Sequence, residues 1–103
     1  WFQIELTRGS AIINGFRLKR KINNKLKSYK IICTDDFNKP IELWTTLFEI
    51  DEKNENEHQL LDIYEFKQPS PPTKFIRLVQ TGKTWKNELF LSFFHFDIFG
   101  TYF

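Results

Sequence analysis

The sequence predicts an all-β fold, and three observations carry that expectation. Apolar residues recur with a period of two in most segments, as in Phe2, Ile4 and Leu6 set against Trp1, Gln3 and Glu5. That alternation marks a half-buried strand rather than an amphipathic helix. Turn-forming clusters separate the alternating segments. The 103 residues include 12 Phe, 3 Trp and 3 Tyr, side chains that suit a pleated, half-buried surface and bury much area each.

Taken in order, the first strand is expected over Trp1 to Leu6 and the second over Ala11 to Arg20, where Ile12, Phe16 and Leu18 alternate with Asn14, Arg17 and Lys19. A short β-rich third strand follows at Ser28 to Cys33. The fourth is read over Ile41 to Ile50, with Leu43, Thr45 and Leu47 against Trp44, Thr46 and Phe48. Leu60 to Phe66 and Lys74 to Gln80 are the fifth and sixth. Leu89 to Phe99 is a nearly continuous apolar run, as a strand buried on both faces would show. Between them lie Arg8-Gly9-Ser10, Asn23-Asn24, Asp35 to Pro40, Asn54 to His58, Pro69-Ser70-Pro71-Pro72 and Thr81-Gly82. Glu49 to Leu61 carries helix-forming Glu and Lys but no apolar stripe, and reads as a loop. The expected core is Phe2 or Trp1, Ile4, Leu6, Phe16, Leu18, Ile31, Trp44, Leu47, Phe66, Ile76, Leu78, Leu89, Leu91, Phe96 and Phe99.

Size allows one domain over 1–103. The formal charge of +2 is too mild to imply nucleic acid. No apolar run is long enough for a transmembrane helix. The lone Cys33 cannot form an internal disulfide, which fits a reducing compartment and an expected cytoplasmic location. The sequence opens inside a strand pattern at Trp1, and the expectation is a fragment of a longer chain.

The second half carries a more specific pattern. Phe75-Ile76-Arg77-Leu78-Val79-Gln80-Thr81-Gly82-Lys83-Thr84-Trp85 precedes Leu89-Phe90-Leu91-Ser92 and Phe96-Asp97-Ile98-Phe99-Gly100. This resembles the closing strand pair of discoidin domains, the coagulation-factor type C family. Trp1 to Leu6 resembles that family's Trp-containing strand, and Ile13 to Leu18 its next one. Ser28-Tyr29-Lys30-Ile31, Thr34-Asp35-Asp36 and Trp44 resemble a further run of it. The likeness spans nearly the whole chain in order, and is greatest to the intracellular, protist-type branch found beside BTB or ankyrin modules. It departs in lacking the first strand and loops, in Phe37-Asn38 where glycine is favoured, and in about two extra residues between Ser92 and Asp97, a spacing that would fit a bulge. The resemblance implies an antiparallel jelly-roll β-sandwich of the galactose-binding-domain-like kind, N-terminally incomplete. It also implies recognition through end loops on a rigid scaffold.

The residues themselves show no catalytic pattern. His58 and His95 are far apart, Cys33 ends a strand as a small hydrophobe, and Asp35 and Asp36 read as turn-capping acids. No cofactor or metal is expected; neither acidic stretch has calcium-loop spacing, and one Cys with two His makes no zinc site. Arg17, Lys19, Arg20, Lys21, Lys25, Lys27 and Lys30 crowd one strand–loop–strand element, either as a solvated hairpin or as an anion-facing site. Arg77, mid-strand among apolar neighbours, needs a carboxylate or carbonyl partner, with Glu5 and Asp97 as candidates. In an antiparallel sandwich, alternate loops share an end. Lys21–Lys27, Asp51–Gln59 and Thr81–Glu88 then lie together, and the resemblance places ligands at the end away from the termini. The candidate ligand-binding residues are therefore Lys21, Asn23, Asn24, Lys25, Lys27, Lys83, Trp85 and Lys86, with Trp85 either packed or a contact. The expected role is a non-catalytic binding module, most simply a protein-interaction domain of a larger intracellular protein. The alternative is a module for carbohydrate or anionic phospholipid.

Overall fold

The structure, a computed structural model, describes residues 1–7, 9–20, 26–51, 61–84, 93 and 95–102. Seven strands form: β1 (Phe2–Glu5), β2 (Ala11–Lys19), β3 (Ser28–Thr34), β4 (Thr45–Asp51), β5 (Leu61–Glu65), β6 (Phe75–Gln80) and β7 (His95–Tyr102). The first six overlap their expected segments, whereas β7 runs beyond the expected Phe99 to Tyr102 and is not buried on both faces, since His95 and Phe99 are exposed. Every pairing is antiparallel. One sheet has four strands in the order β1-β6-β3-β4, the other three in the order β5-β2-β7. The chain is thus an all-β, two-sheet antiparallel structure, and no α-helix occurs among the described residues.

The fourth strand starts later than the alternation predicts. Pro40 has no N–H to place in a ladder, and Ile41–Leu43 instead forms one 3-10 turn, closed by the Leu43 and Trp44 amides donating to the Pro40 and Ile41 carbonyls. Asp36 acts as expected for a turn acid: its Oδ1 accepts from the Asn38 amide at 3.0 Å.

Phe16 is the centre of the core. Its ring, on the inner face of the three-stranded sheet, meets Tyr29 and Phe48 from the facing sheet, and Tyr64, Phe66 and Phe96 around it, at centroid distances of 4.9–6.3 Å. Leu6, Leu18, Ile31, Ile76 and Leu78 are buried with it, while Ile4, Leu47 and Phe66 pack as partly buried neighbours. Leu89 and Leu91 lie outside the described residues.

The expectations for Trp1, Phe99, Phe2 and the placement of β6 and β7 need correction, and Trp44, buried as expected, sits elsewhere than in the central core. Trp1 and Phe99 face outward rather than into the core. In β7, Phe96 and Ile98 take the inner positions, so period-two parity sends Phe99 to the other face. Phe2 stays on the inner set but lies partly exposed on an edge strand, its ring edge-on to Phe93 and Phe96. Trp44 is buried, yet over the outer face of the four-stranded sheet, above Arg77. Finally, β6 and β7 do not lie side by side: β6 runs between β1 and β3, whereas β7 pairs with β2 over eight positions from Ala11↔Tyr102 to Lys19↔His95. The two strands thus belong to different sheets.

The end of the molecule away from the cleft described below is stitched across the two sheets. Ser70 both donates its amide to the Ile13 carbonyl and accepts the Ile13 amide on its hydroxyl at 2.7 Å. Thr73, fully buried, exchanges two backbone bonds with Ala11 and donates its hydroxyl to the Thr34 carbonyl at 2.8 Å. Gly9 takes a positive φ of 103°, a conformation open to glycine, and turns the chain from β1 to β2.

Candidate functional site

Antiparallel alternation brings the start of β3, the end of β4 and the end of β6 to one end of the molecule. Ser28 and Asp51 are directly opposite in the β3–β4 register, and Tyr29 opposes Gln80 across β3–β6. The Thr81 amide donates to the Ser28 carbonyl at 3.1 Å, extending the ladder past the strand end. These pairings open a cleft of about 660 Å³ lined by Lys27, Ser28, Glu49, Asp51, Lys83 and Thr84, with Ile50, Thr81 and Gly82 between them.

The cleft is polar and its floor is fixed. The Ser28 hydroxyl, buried, donates to Asp51 Oδ1 at 2.5 Å. Gln80 Nε2 donates to the Gly82 carbonyl at 2.8 Å and holds the turn. Gly82 lies against Ser28, since a Cβ there would sit 3.2 Å from the Ser28 Oγ. Lys27 is half-buried and Lys83 exposed; no hydrogen bond or ion pair ties Lys83 to another described residue. The cleft therefore sets two ammonium groups beside two carboxylates.

Of the candidate ligand-binding residues, Lys27 and Lys83 line this one cleft. Lys21, Asn23, Asn24, Lys25, Trp85 and Lys86 lie outside the described residues. The basic strand–loop–strand cluster does not hold together as a hairpin, because β2 and β3 belong to different sheets. Arg17 is bound by Asp97 at 2.6 Å on the outer face of the three-stranded sheet. Arg20 is 1% exposed: its guanidinium donates to the Leu26 carbonyl at 2.9 Å and lies over the Tyr29 ring. Burial of the planar, weakly hydrated Arg head against a ring and a carbonyl is a known use of arginine, and the sequence pattern of alternating charge gave no sign of it.

Arg77 likewise departs from expectation. Its partner is neither Glu5 nor Asp97 but Gln3, directly opposite in β1, whose Oε1 accepts from Nε at 2.6 Å. Trp1 and Trp44 flank the guanidinium at 3.8 and 4.7 Å. Asp97 is taken by Arg17 and by His95, whose Nε2 is 2.8 Å away. The bond from Arg17 is the largest cause holding the Asp97 carboxyl below its ordinary value. Cys33 is buried, and burial pushes its thiol up despite a hydrogen bond with Thr73.

Two further openings were not foreseen. One, about 730 Å³, runs between the edge strands β4 and β5 and is walled by Phe48, Tyr64 and Phe66. The other, about 230 Å³, lies on the outer face of the three-stranded sheet over Gly15. A glycine inside a strand pattern is the one sequence signal that pointed to the second. Among the described residues no group of three His, Cys, Asp or Glu side chains is placed to hold a metal ion, and no helix is long and apolar enough to cross a membrane.

Fold and cleft together define a class: an all-β scaffold with a polar, charge-mixed cleft at one end. No family model, curated protein or solved structure matches the chain.

Proposed function

We propose that this chain is a non-catalytic binding module that meets a partner protein at the Lys27–Lys83 cleft, as one domain of a larger intracellular protein. The reading treats the scaffold as a discoidin-like jelly roll that holds the ends of β3, β4 and β6 fixed, with Lys27 and Lys83 in the cleft those ends form. The observation that carries it is that Lys27, Lys83, Glu49 and Asp51 line one cleft. Opposite charges interleaved at short range favour a partner with its own mixed pattern, and protein surfaces supply that. An anionic bilayer offers one sign only and would meet Glu49 and Asp51 with repulsion.

The test compares the wild-type chain with the Lys27→Glu/Lys83→Glu double variant. Each is assayed against a phage-displayed peptide library, a glycan array and vesicles of phosphatidylserine with phosphatidylcholine. The expected outcome is enrichment of peptides carrying both acidic and basic residues, with the charge reversal abolishing it. Binding to vesicles or glycans alone, sensitive to the same reversal, would transfer the cleft to lipid or carbohydrate and overturn the protein-partner reading.

A further inference from the structure

The outer face of the three-stranded sheet is a grid whose rows follow from register. Gly15 stands between Glu65 of β5 and Phe99 of β7. The next outward row places Arg17 between Ile63 and Asp97, and the next places Lys19 beside His95. Parity confirms which way these residues face: Phe16 and Tyr64 stack inside, Ile98 packs on the core, and Arg17 meets Asp97 outside.

At Gly15 the grid lacks a side chain, and it must. The strand carries a register shift between Ile13 and Gly15, and a Cβ at Gly15 would collide with the Tyr64 carbonyl oxygen. The result is the depression of about 230 Å³, lined by Asn14, Gly15, Ile63, Tyr64, Glu65 and Phe99. With strands roughly 4.8 Å apart, the backbones of Glu65 and Phe99 are about 10 Å apart across it, room for one flat or slender group. Two of its walls are apolar and open to solvent, Ile63 at 60% and Phe99 at 43% exposure.

Its charge is one-signed. Arg17 is held by Asp97, and His95 leans on the same carboxylate, so that neighbouring row is satisfied internally. The Glu65 carboxylate, exposed, makes no hydrogen bond or ion pair with another described residue, including Lys67 two positions on. An uncommitted carboxylate beside an exposed aromatic face and an aliphatic wall suits a cation with a flat, weakly hydrated head and an apolar stem. Arginine has both, stacking on a ring while its fork engages a carboxylate.

We propose that this depression seats an arginine side chain presented by a partner protein. The proposal does not rest on the end cleft: the two lie on different surfaces, and either can stand without the other.

The test is a titration of the 103-residue chain with N-acetyl-arginine amide, followed by amide chemical shifts. N-acetyl-norleucine amide and N-acetyl-glutamate amide serve as the apolar and acidic controls. Saturable shifts at Asn14, Gly15, Ile63, Glu65 and Phe99 are expected with the arginine probe alone. Glu65→Gln should weaken binding about fivefold, and Phe99→Ala should do the same, with dispersed spectra confirming that both variants fold. The proposal is overturned if the arginine probe leaves these amides unmoved, if norleucine amide moves them equally, or if Glu65→Gln binds as wild type.

Discussion

The Arg77 guanidinium lies against two indole rings, with its Nε donating to Gln3 and the residue only 9% exposed. The planar cation gives each indole a face to stack on, which a lysine ammonium cannot. Arg77→Lys is therefore expected to cost about 1–2 kcal/mol in urea unfolding, with Trp fluorescence shifting to the red in the native baseline. A second prediction at this scale concerns Asp97, whose carboxyl is held low chiefly by the Arg17 bond. A carboxylate with a depressed folded pKa contributes stability that is present above the unfolded value and is lost as pH falls through the folded one. Carboxyl-carbon NMR should find Asp97 titrating below ordinary aspartates, and Arg17→Ala should move it up. Cys33, fully buried and raised by that burial, should resist iodoacetamide in the native protein and react quickly in urea.

Element by element, alternation in the sequence placed strands such as β1 and β2, because a strand with one wet face must alternate. It failed where both faces carry apolar residues. In Leu89 to Phe99 a continuous run gives no parity, and only the register with β2 shows that Phe96 and Ile98 go in and Phe99 out. The same holds for β3, where Ile31 and Cys33 belong to the core cluster and Ile32, opposite Arg77, is buried outside it. Sequence spacing could not announce that a connecting segment folds back over a sheet. The candidate site was legible in part: Lys27 and Lys83 meet because strand direction alone fixes which loops share an end. The buried Arg20 and the depression at Gly15 depend on tertiary approach and left only weak traces. Close backbone approach also makes a test of β7. A Cβ at Gly100 would collide with the Ile12 carbonyl oxygen, so Gly100→Ala should destabilise by about 1–3 kcal/mol, read as a lower urea midpoint.

At the scale of the whole molecule, the two sheets meet by their inner faces, and among the described strands β3 and β4 are the only consecutive ones paired with each other. Phe16 packs against rings of both sheets, and Phe16→Ala should cost about 3–5 kcal/mol. The seat of β6 matters most for function: with β6 beside β3, Thr81 is tied to Ser28 and Lys83 lines the cleft with Lys27. The cross-strand nuclear Overhauser map tests this directly. Contacts between backbone protons of Ile32 and Arg77 and of Arg17 and Asp97 are predicted, with none between residues 75–80 and 95–102. A ladder joining those last two segments would contradict the pairing, separate Lys83 from Ser28 and remove the cleft.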